Sequence, residues 1–401
     1  MPHAFPPPIP VVRDHWTLDR DVVFLNHGSF GACPRVILEK QTEWRARLER
    51  QPILFLGREI EPLLDAARAE VAEFLGAEAE DLAFVQNATA GVNAVLRSLR
   101  LNPGDEILVT NHGYNACTNA ARWVAERAGA KVVVAEVPYP VPSFDAVVDA
   151  VLAAVTPRTK LALLDHVTSQ TALILPIYRL VAELQGKRGI DVLVDGAHAP
   201  GMIALDLDVL GAAYYTGNGH KWLCGPKGAA FLHVRRDKRA GIAPLAISHG
   251  LNASRTDKPL FQLLFDWVGT LDPSPFLCLP DAIRFMDGLM PGGIDSLQQH
   301  WKAKALAARE LVCSALGVEP PAPAGFIGSI ATVILPRPPV TLPVAPLFLH
   351  PLQEALWNEE KIEIPVMPAP NGKDWSIRLS AAPYNDESDY LRLAAALRRL
   401  A

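Results

Sequence analysis

From about residue 80 the chain alternates short apolar runs with longer amphipathic ones. LAFVQ (82–86) precedes NATAGVNAVLRSLR, and EILVT (106–110) precedes a helical stretch over 116–127. KVVVAEV (131–137) precedes 144–155, LALLDHV (161–167) precedes 177–185, and DVLVD (191–195) is followed by HAPGMI. AAYYT (212–216) leads into TGNGHKWLCGPKGAAFL, whose last residues are again strand-like. Strand and helix at this spacing predict βαβ units and a largely parallel sheet. The strand centres are nearly all apolar, as a sheet covered by helices on both faces requires.

After residue 275 the texture changes. Helical patterns at 280–290 and 295–316 are followed by a proline-rich stretch over 319–346, a helix near 346–358, strand-like SIRLSAA (376–382) and a last helix, Glu387–Leu400. The expected organisation is an N-terminal arm over 1–20, a large domain over 21–275 and a smaller α+β domain over 276–401 that packs with the arm. The prolines, 35 in all, read as rigid loops of a folded domain.

The bulk numbers remove several classes of function. A length of 401 residues, half of them hydrophobic, suits a large core with a second smaller one. A net charge of −5 offers no basic surface for nucleic acid or an acidic membrane. Five cysteines without a CxxC, and eleven scattered histidines, imply neither a disulfide framework nor a metal site. MPHAFPPPIP lacks the features of a signal peptide, and no apolar run reaches the ~20 residues of a membrane span, so a cytoplasmic protein is expected.

In an open α/β sheet the ligand lies beyond the carboxyl ends of the strands, so residues just after each strand carry most weight. In QNATAGVN, small residues open a helix whose N-terminus suits an anion, with Thr89 adding a hydroxyl; Asn87 also reads as a simple N-cap. Tyr114 follows EILVT and is placed to stack on a planar ring or to pack at the rim. Asp195 ends an apolar strand, where a carboxylate needs a partner such as a protonated heterocyclic nitrogen, and His198 is close by. Lys221 sits between His220 and Trp222 after a second strand, where burial lowers an amine's pKa and makes it competent for imine formation. Lys227, in the GPKG turn, reads as a solvated turn residue, and Cys224 as packing. An anion cradle, a ring-stacking group, a carboxylate and a lysine, in that order along the chain, are the parts pyridoxal phosphate needs. No GxGxxG follows the early strands, so nicotinamide chemistry competes poorly.

Eight segments together carry a resemblance over nearly the whole chain. They are FLNHGSFGACP (24–34), QNATAGVN (86–93), NHGYNA (111–116), DHVTSQTALILPI (165–177), DGAHAPG (195–201), YTGNGHKWLCGPKGAAFL (215–232), WVGTLDPSPFL (267–277) and IRLSAAPYN (377–385). The chain resembles the class V aminotransferase branch of the fold type I pyridoxal-phosphate enzymes, and within it the isopenicillin N epimerase-like proteins. The resemblance implies a mainly parallel seven-stranded sheet between helices, a smaller C-terminal domain and a homodimer with shared active sites. It implies that Lys221 forms the Schiff base with pyridoxal phosphate, Asp195 pairs with the ring nitrogen, Tyr114 stacks, and His198 lies near the ring hydroxyl with Thr168 or Ser169. Ala88, Thr89, Asn218 and His220 would hold the phosphate, with Thr270 reaching it from the neighbouring subunit. Arg378 would bind the α-carboxylate of an amino acid, and Asn26, His27 and Ser29 would line the substrate side.

Gly113 and Gln170 depart from the subgroup's pattern at positions that shape the substrate pocket. No cysteine lies between Val340 and Arg378, where the related desulfurases carry theirs, so persulfide chemistry is not expected. The expected reaction is epimerisation or racemisation at an amino-acid α-carbon. β-Elimination, as in C–S lysis, is the alternative, with transamination or cofactor binding without turnover behind it.

Overall fold

The computed structural model describes residues 3–10, 12–336 and 349–400. Seven strands form the central sheet: β1 (Leu82–Val85), β2 (Glu106–Thr110), β3 (Lys131–Ala135), β4 (Thr159–Asp165), β5 (Asp191–Asp195), β6 (Tyr214–Asn218) and β7 (Ala230–Val234). Their spatial order is β1-β7-β6-β5-β4-β2-β3. The five strands from β6 to β3 pair in parallel, while β7 runs antiparallel between β6 and β1. Their apolar side chains are buried almost throughout, as the unbroken apolar runs require.

Register sets up the site. Asp165 at the end of β4 pairs in register with Asp195 at the end of β5, and Asp195 with Thr216 on β6. Parallel strands in register bring their last side chains to one edge, so both carboxylates emerge side by side.

Two helices start at that edge. α1 (Ala88–Ser98) is capped by Asn87, whose Oδ1 accepts from Ala90 N at 2.8 Å. α2 (Asn115–Ala128) begins directly after Tyr114. Gly91 lets α1 lie against β6: a Cβ there would come within 2.2 Å of Thr216 Oγ1.

The smaller domain holds three antiparallel strands, β8 (Ile330–Ile334), β9 (Val366–Pro368) and β10 (Trp375–Ser380), in the order β9-β10-β8. α3 (Gly293–Leu316) and α4 (Glu387–Leu400) supply apolar residues to the same core. The N-terminal stretch reaches it too: Phe5 stacks on Tyr390, and Pro7 O accepts from His300 at 2.9 Å. Trp16 packs instead in the main core, against Phe285 and Tyr384.

Several elements differ from the pattern reading. The strands expected over 131–137 and 161–167 end at Ala135 and Asp165, and that expected over 212–216 runs on to Asn218. HAPGMI forms turns rather than a helix, because Gly196 and Gly201 pass too close to Tyr215 and Trp222 for a regular coil to fit. The helix expected over 177–185 is α-helical only to Val181, and Ala182–Gly186 form a wider turn. The helix near 346–358 spans Pro351–Glu360, and residues 337–348 of the proline-rich stretch and its end lie outside the described residues. Two sixteen-residue helices, Arg35–Arg50 and Ile60–Leu75, precede the sheet in a region where alternation gave no signal.

Gly91→Ala is expected to destabilise the fold by about 1–3 kcal/mol, the usual cost of overpacking. A denaturant midpoint equal to that of the unsubstituted protein would show that α1 and β6 can separate freely.

Candidate active site

A cavity of about 680 Å³ opens at the carboxyl ends of the strands. Its wall includes Ser29, Ala88, Thr89, Tyr114, Ser169, Asp195, His198, Asn218, His220 and Lys221, so ten of the residues expected from the sequence share one space. The fold brings them from segments almost 200 positions apart.

Lys221 Nζ lies 3.1 Å from His198 Nε2. Burial, and then the Arg378 charge, lower the Lys221 pKa to about 8. His198 is pushed well below its usual range, first by burial and then by Lys221, so it is neutral and accepts from the amine. Its other nitrogen, Nδ1, is buried without a partner among the described residues.

Asp195 is pinned from two sides: Ala197 N donates to Oδ1 at 3.0 Å and the Cys117 thiol donates to Oδ2 at 3.1 Å. Burial pushes the Asp165 carboxyl well above the usual range, and the neighbouring Asp195 pushes it further. Burial raises Asp195 too, opposed by Cys117, Ala197 and Lys221. Asp165 is therefore the member of the pair that holds a proton, and Asp195 the one that carries charge.

At the start of α1, Ala88 N donates to Asn218 Oδ1 at 2.8 Å, and Ala90 N is taken by Asn87. Two groups expected to hold an anion thus bond to each other. This leaves the Thr89 N–H and hydroxyl unpartnered on the cavity wall among the described residues. His220 Nδ1 lies 3.3 Å from Ala229 O, and burial lowers its pKa to about 4.

Other expected residues stand elsewhere. Arg378, in the middle of β10, is 2% exposed and lies behind the wall. It donates to Ser169 O at 2.7 Å, Ser169 Oγ at 3.2 Å and Ser29 Oγ at 2.9 Å, so the two serines present its charge to the cavity. His27 does not line the cavity: its ring nitrogens lie 2.7 Å from Tyr384 Oη and 2.9 Å from Lys221 O, bracing the lysine's backbone. Asn26 bonds Glu363 and Ser29. The Thr168 hydroxyl is fully buried against Thr171 and Leu173, leaving Ser169 as the member of that pair on the wall. Thr270 lines a separate cavity of about 240 Å³ with Leu245 and Phe265, next to but outside the first.

Lys227 is an exposed turn residue, as expected, but it also lines the same cavity and donates to Gly31 O at 2.7 Å. Asp165, Cys117, Arg45 and Asp272 were also missed. Asp165 had a signal, since LALLD ends as DVLVD does, and Cys117 sits one helical turn after Tyr114. For Arg45 and Asp272 the sequence carries no signal.

Residues 22–265 match the family described as aminotransferase class-V. The chain is 36% identical to isopenicillin N epimerase of Amycolatopsis lactamdurans, over 97% of each chain. It is 31% identical to a probable chloroplastic L-cysteine desulfhydrase of Arabidopsis thaliana, over 95% of this chain and 83% of that one. Among solved structures, the cystine C-S lyase C-DES in complex with its product cysteine persulfide superposes with a TM-score of 0.79 at 22% identity, covering 95% of this chain and 98% of that one.

A Lys221 pKa of about 8 has a direct readout. Reductive methylation of cofactor-free protein, followed by peptide mapping, is expected to modify Lys221 with a rate whose pH profile has its midpoint near pH 8 and levels above it. Arg378→Gln removes the repulsion and is expected to move that midpoint upward, towards the ordinary lysine value. A midpoint unmoved by the substitution would mean that burial alone sets it.

Proposed function

The chain belongs to the class V aminotransferase family and is a pyridoxal-phosphate enzyme, and on that premise we propose that it epimerises or racemises an amino acid at the α-carbon. The residues fit the cofactor. Asp195 offers a charged carboxylate, the unpartnered His198 Nδ1 a buried polar atom awaiting a neighbour, and Thr89 free donors at a helix start. When bound, pyridoxal phosphate supplies an electron sink that acidifies the α-proton of an attached amino acid.

This chain's residues do the rest. Lys221, with its pKa lowered to about 8, would hold the cofactor and carry the α-proton on one side. Asp195 would face the ring nitrogen, and Asp165, holding its own proton, adds no second negative charge. Thr89, Asn218 and His220 would hold the phosphate, and Thr270 of a second copy would complete the site in a homodimer. Ser29 and Ser169, backed by Arg378, receive the α-carboxylate.

The observation that carries epimerisation is the placement of a second proton carrier. Tyr114 follows β2 and Lys221 follows β6, strands roughly 14 Å apart with β4 and β5 between them. Both side chains line the cavity, from opposite flanks of the Asp165–Asp195 pair. Burial raises the Tyr114 pKa, so its hydroxyl keeps a proton to give. β-Elimination is the second reading, favoured by the desulfhydrase relative, and needs Lys221 alone.

Turnover of L- and D-amino acids and cysteine conjugates in heavy water separates the two. Epimerisation is expected to give α-deuterated product with loss of chirality, and Tyr114→Phe to keep α-exchange while slowing inversion by about 10²-fold or more. Pyruvate and ammonia from a cysteine substrate, without inversion of any amino acid, would sink the epimerase in favour of the lyase.

A further inference from the structure

Besides Arg45, which Asp272 pairs, the cavity wall carries one more cation that the proposed reaction does not use. Lys227 stands in the Gly225–Gly228 turn, and its Nζ donates to Gly31 O at 2.7 Å. An ammonium has three N–H donors, so two remain. Its hydrogen-bond partner among the described residues is this carbonyl, not a carboxylate. Asp272, the acidic residue at the same rim, is already engaged: Arg45 Nε donates to Oδ2 at 2.7 Å and Ser274 N to Oδ1 at 2.9 Å. The side chain is exposed at the rim, where a ligand can reach it.

The position of Lys227 relative to the reacting centre is fixed by backbone. Gly31 has φ of +70°, and a Cβ there would lie 2.1 Å from His220 O, so its carbonyl is clamped beside the Lys221 loop. Two residues earlier, Ser29 Oγ accepts from Arg378 at 2.9 Å. The segment Ser29–Gly31 therefore runs along the cavity wall with a guanidinium behind one end and an ammonium at the other. An amino acid whose α-carboxylate meets Ser29 points part of its length along this wall.

We propose that Lys227 binds a second anionic group, a side-chain carboxylate, on the amino-acid substrate, at the rim formed with Phe30, Gly31 and the Arg45–Asp272 pair. This rests on the α-carbon reading above and adds to it a substrate class: acidic amino acids or longer conjugates ending in a carboxylate. Lysine suits the task as a flexible point charge that tolerates side chains of differing length.

The test titrates the holoenzyme with a series of ω-carboxy amino acids of one to four methylenes and their ω-amides, following the cofactor's absorbance. The acids are expected to half-saturate at concentrations about tenfold lower than the matched amides. Lys227→Gln keeps a donor for Gly31 O but removes the charge, and is expected to abolish the acid-over-amide ratio; Lys227→Arg is expected to restore it. Equal titration of acids and amides by the unsubstituted enzyme overturns the proposal while leaving the α-carbon reading standing. So does a ratio that survives in Lys227→Gln. Loss of cofactor on dialysis of Lys227→Gln, with the ratio unchanged, identifies the lysine as a phosphate ligand and also overturns it. If no amino acid of any kind perturbs the absorbance, the α-carbon reading fails and this inference with it.

Discussion

Two positive charges, Lys221 and Arg378, share one desolvated region. Burial first, and then the charge of the guanidinium, bring the Lys221 pKa down to about 8. That shift corresponds to roughly 3 kcal/mol against the charged amine. Keeping it requires that nothing relax around either group. Arg378 is held by Ser29 and Ser169, while the Lys221 backbone carbonyl is braced by His27 and its Nζ by a neutral His198. His27 in turn is fixed by Tyr384, a residue that follows β10 and packs into the main core. The reactive amine is thus a joint product of both domains.

The carboxylate side follows the same logic with opposite sign. In-register parallel pairing forces Asp165 and Asp195 together, and two adjacent buried carboxylates cannot both ionise. Hydrogen bonds decide which one does. Asp195 receives donors from Ala197 and Cys117 and feels Lys221, while Asp165 is left with burial and its neighbour's charge as the larger influences. The Cys117 thiol is accordingly a donor to a carboxylate, with its own pKa raised well above the usual value, and is no nucleophile. Gly113 fits here as well. A Cβ at that position would be 3.1 Å from both Thr110 O and Thr118 Oγ1, so the glycine relieves crowding where β2 turns into α2, and Asp165 Oδ2 lies only at ordinary contact distance.

Much of this was legible in the sequence because strand ends in a parallel sheet are a local signal. An apolar run that stops at a polar residue marks the edge where ligands bind, and Tyr114, Asp195 and Lys221 were all placed that way. What the sequence hid is direction and reach. Whether Thr168 or Ser169 faces the cavity depends on a turn closed by Thr171 and Leu173, which alternation does not encode. His27 looked like a wall residue but is consumed by Tyr384, 357 positions away. Lys227 is exposed as its turn suggests, but its bond to the Gly31 carbonyl, 196 positions away, gave no signal. Long-range partners of polar groups are invisible to periodicity, and so are the local turn contacts that turn Thr168 inward.

The same distinction bears on the choice of reaction. Abstraction of an α-proton needs only the features that the sequence made visible, and they are shared with relatives named as epimerases and as desulfhydrases. The fate of the substrate after abstraction depends on whether a second acid stands within reach and whether a leaving group is held for departure. Both are matters of the cavity's outer half, built from Tyr114, Phe30, Arg45, Lys227 and Asp272. On the reading proposed above, a substrate anchored at its far end by Lys227 would keep its side chain fixed while the α-carbon changes configuration. That restraint would favour returning a proton over expelling a substituent, since elimination needs the departing group to move away. The rim proposed to select the substrate would then also bias its fate.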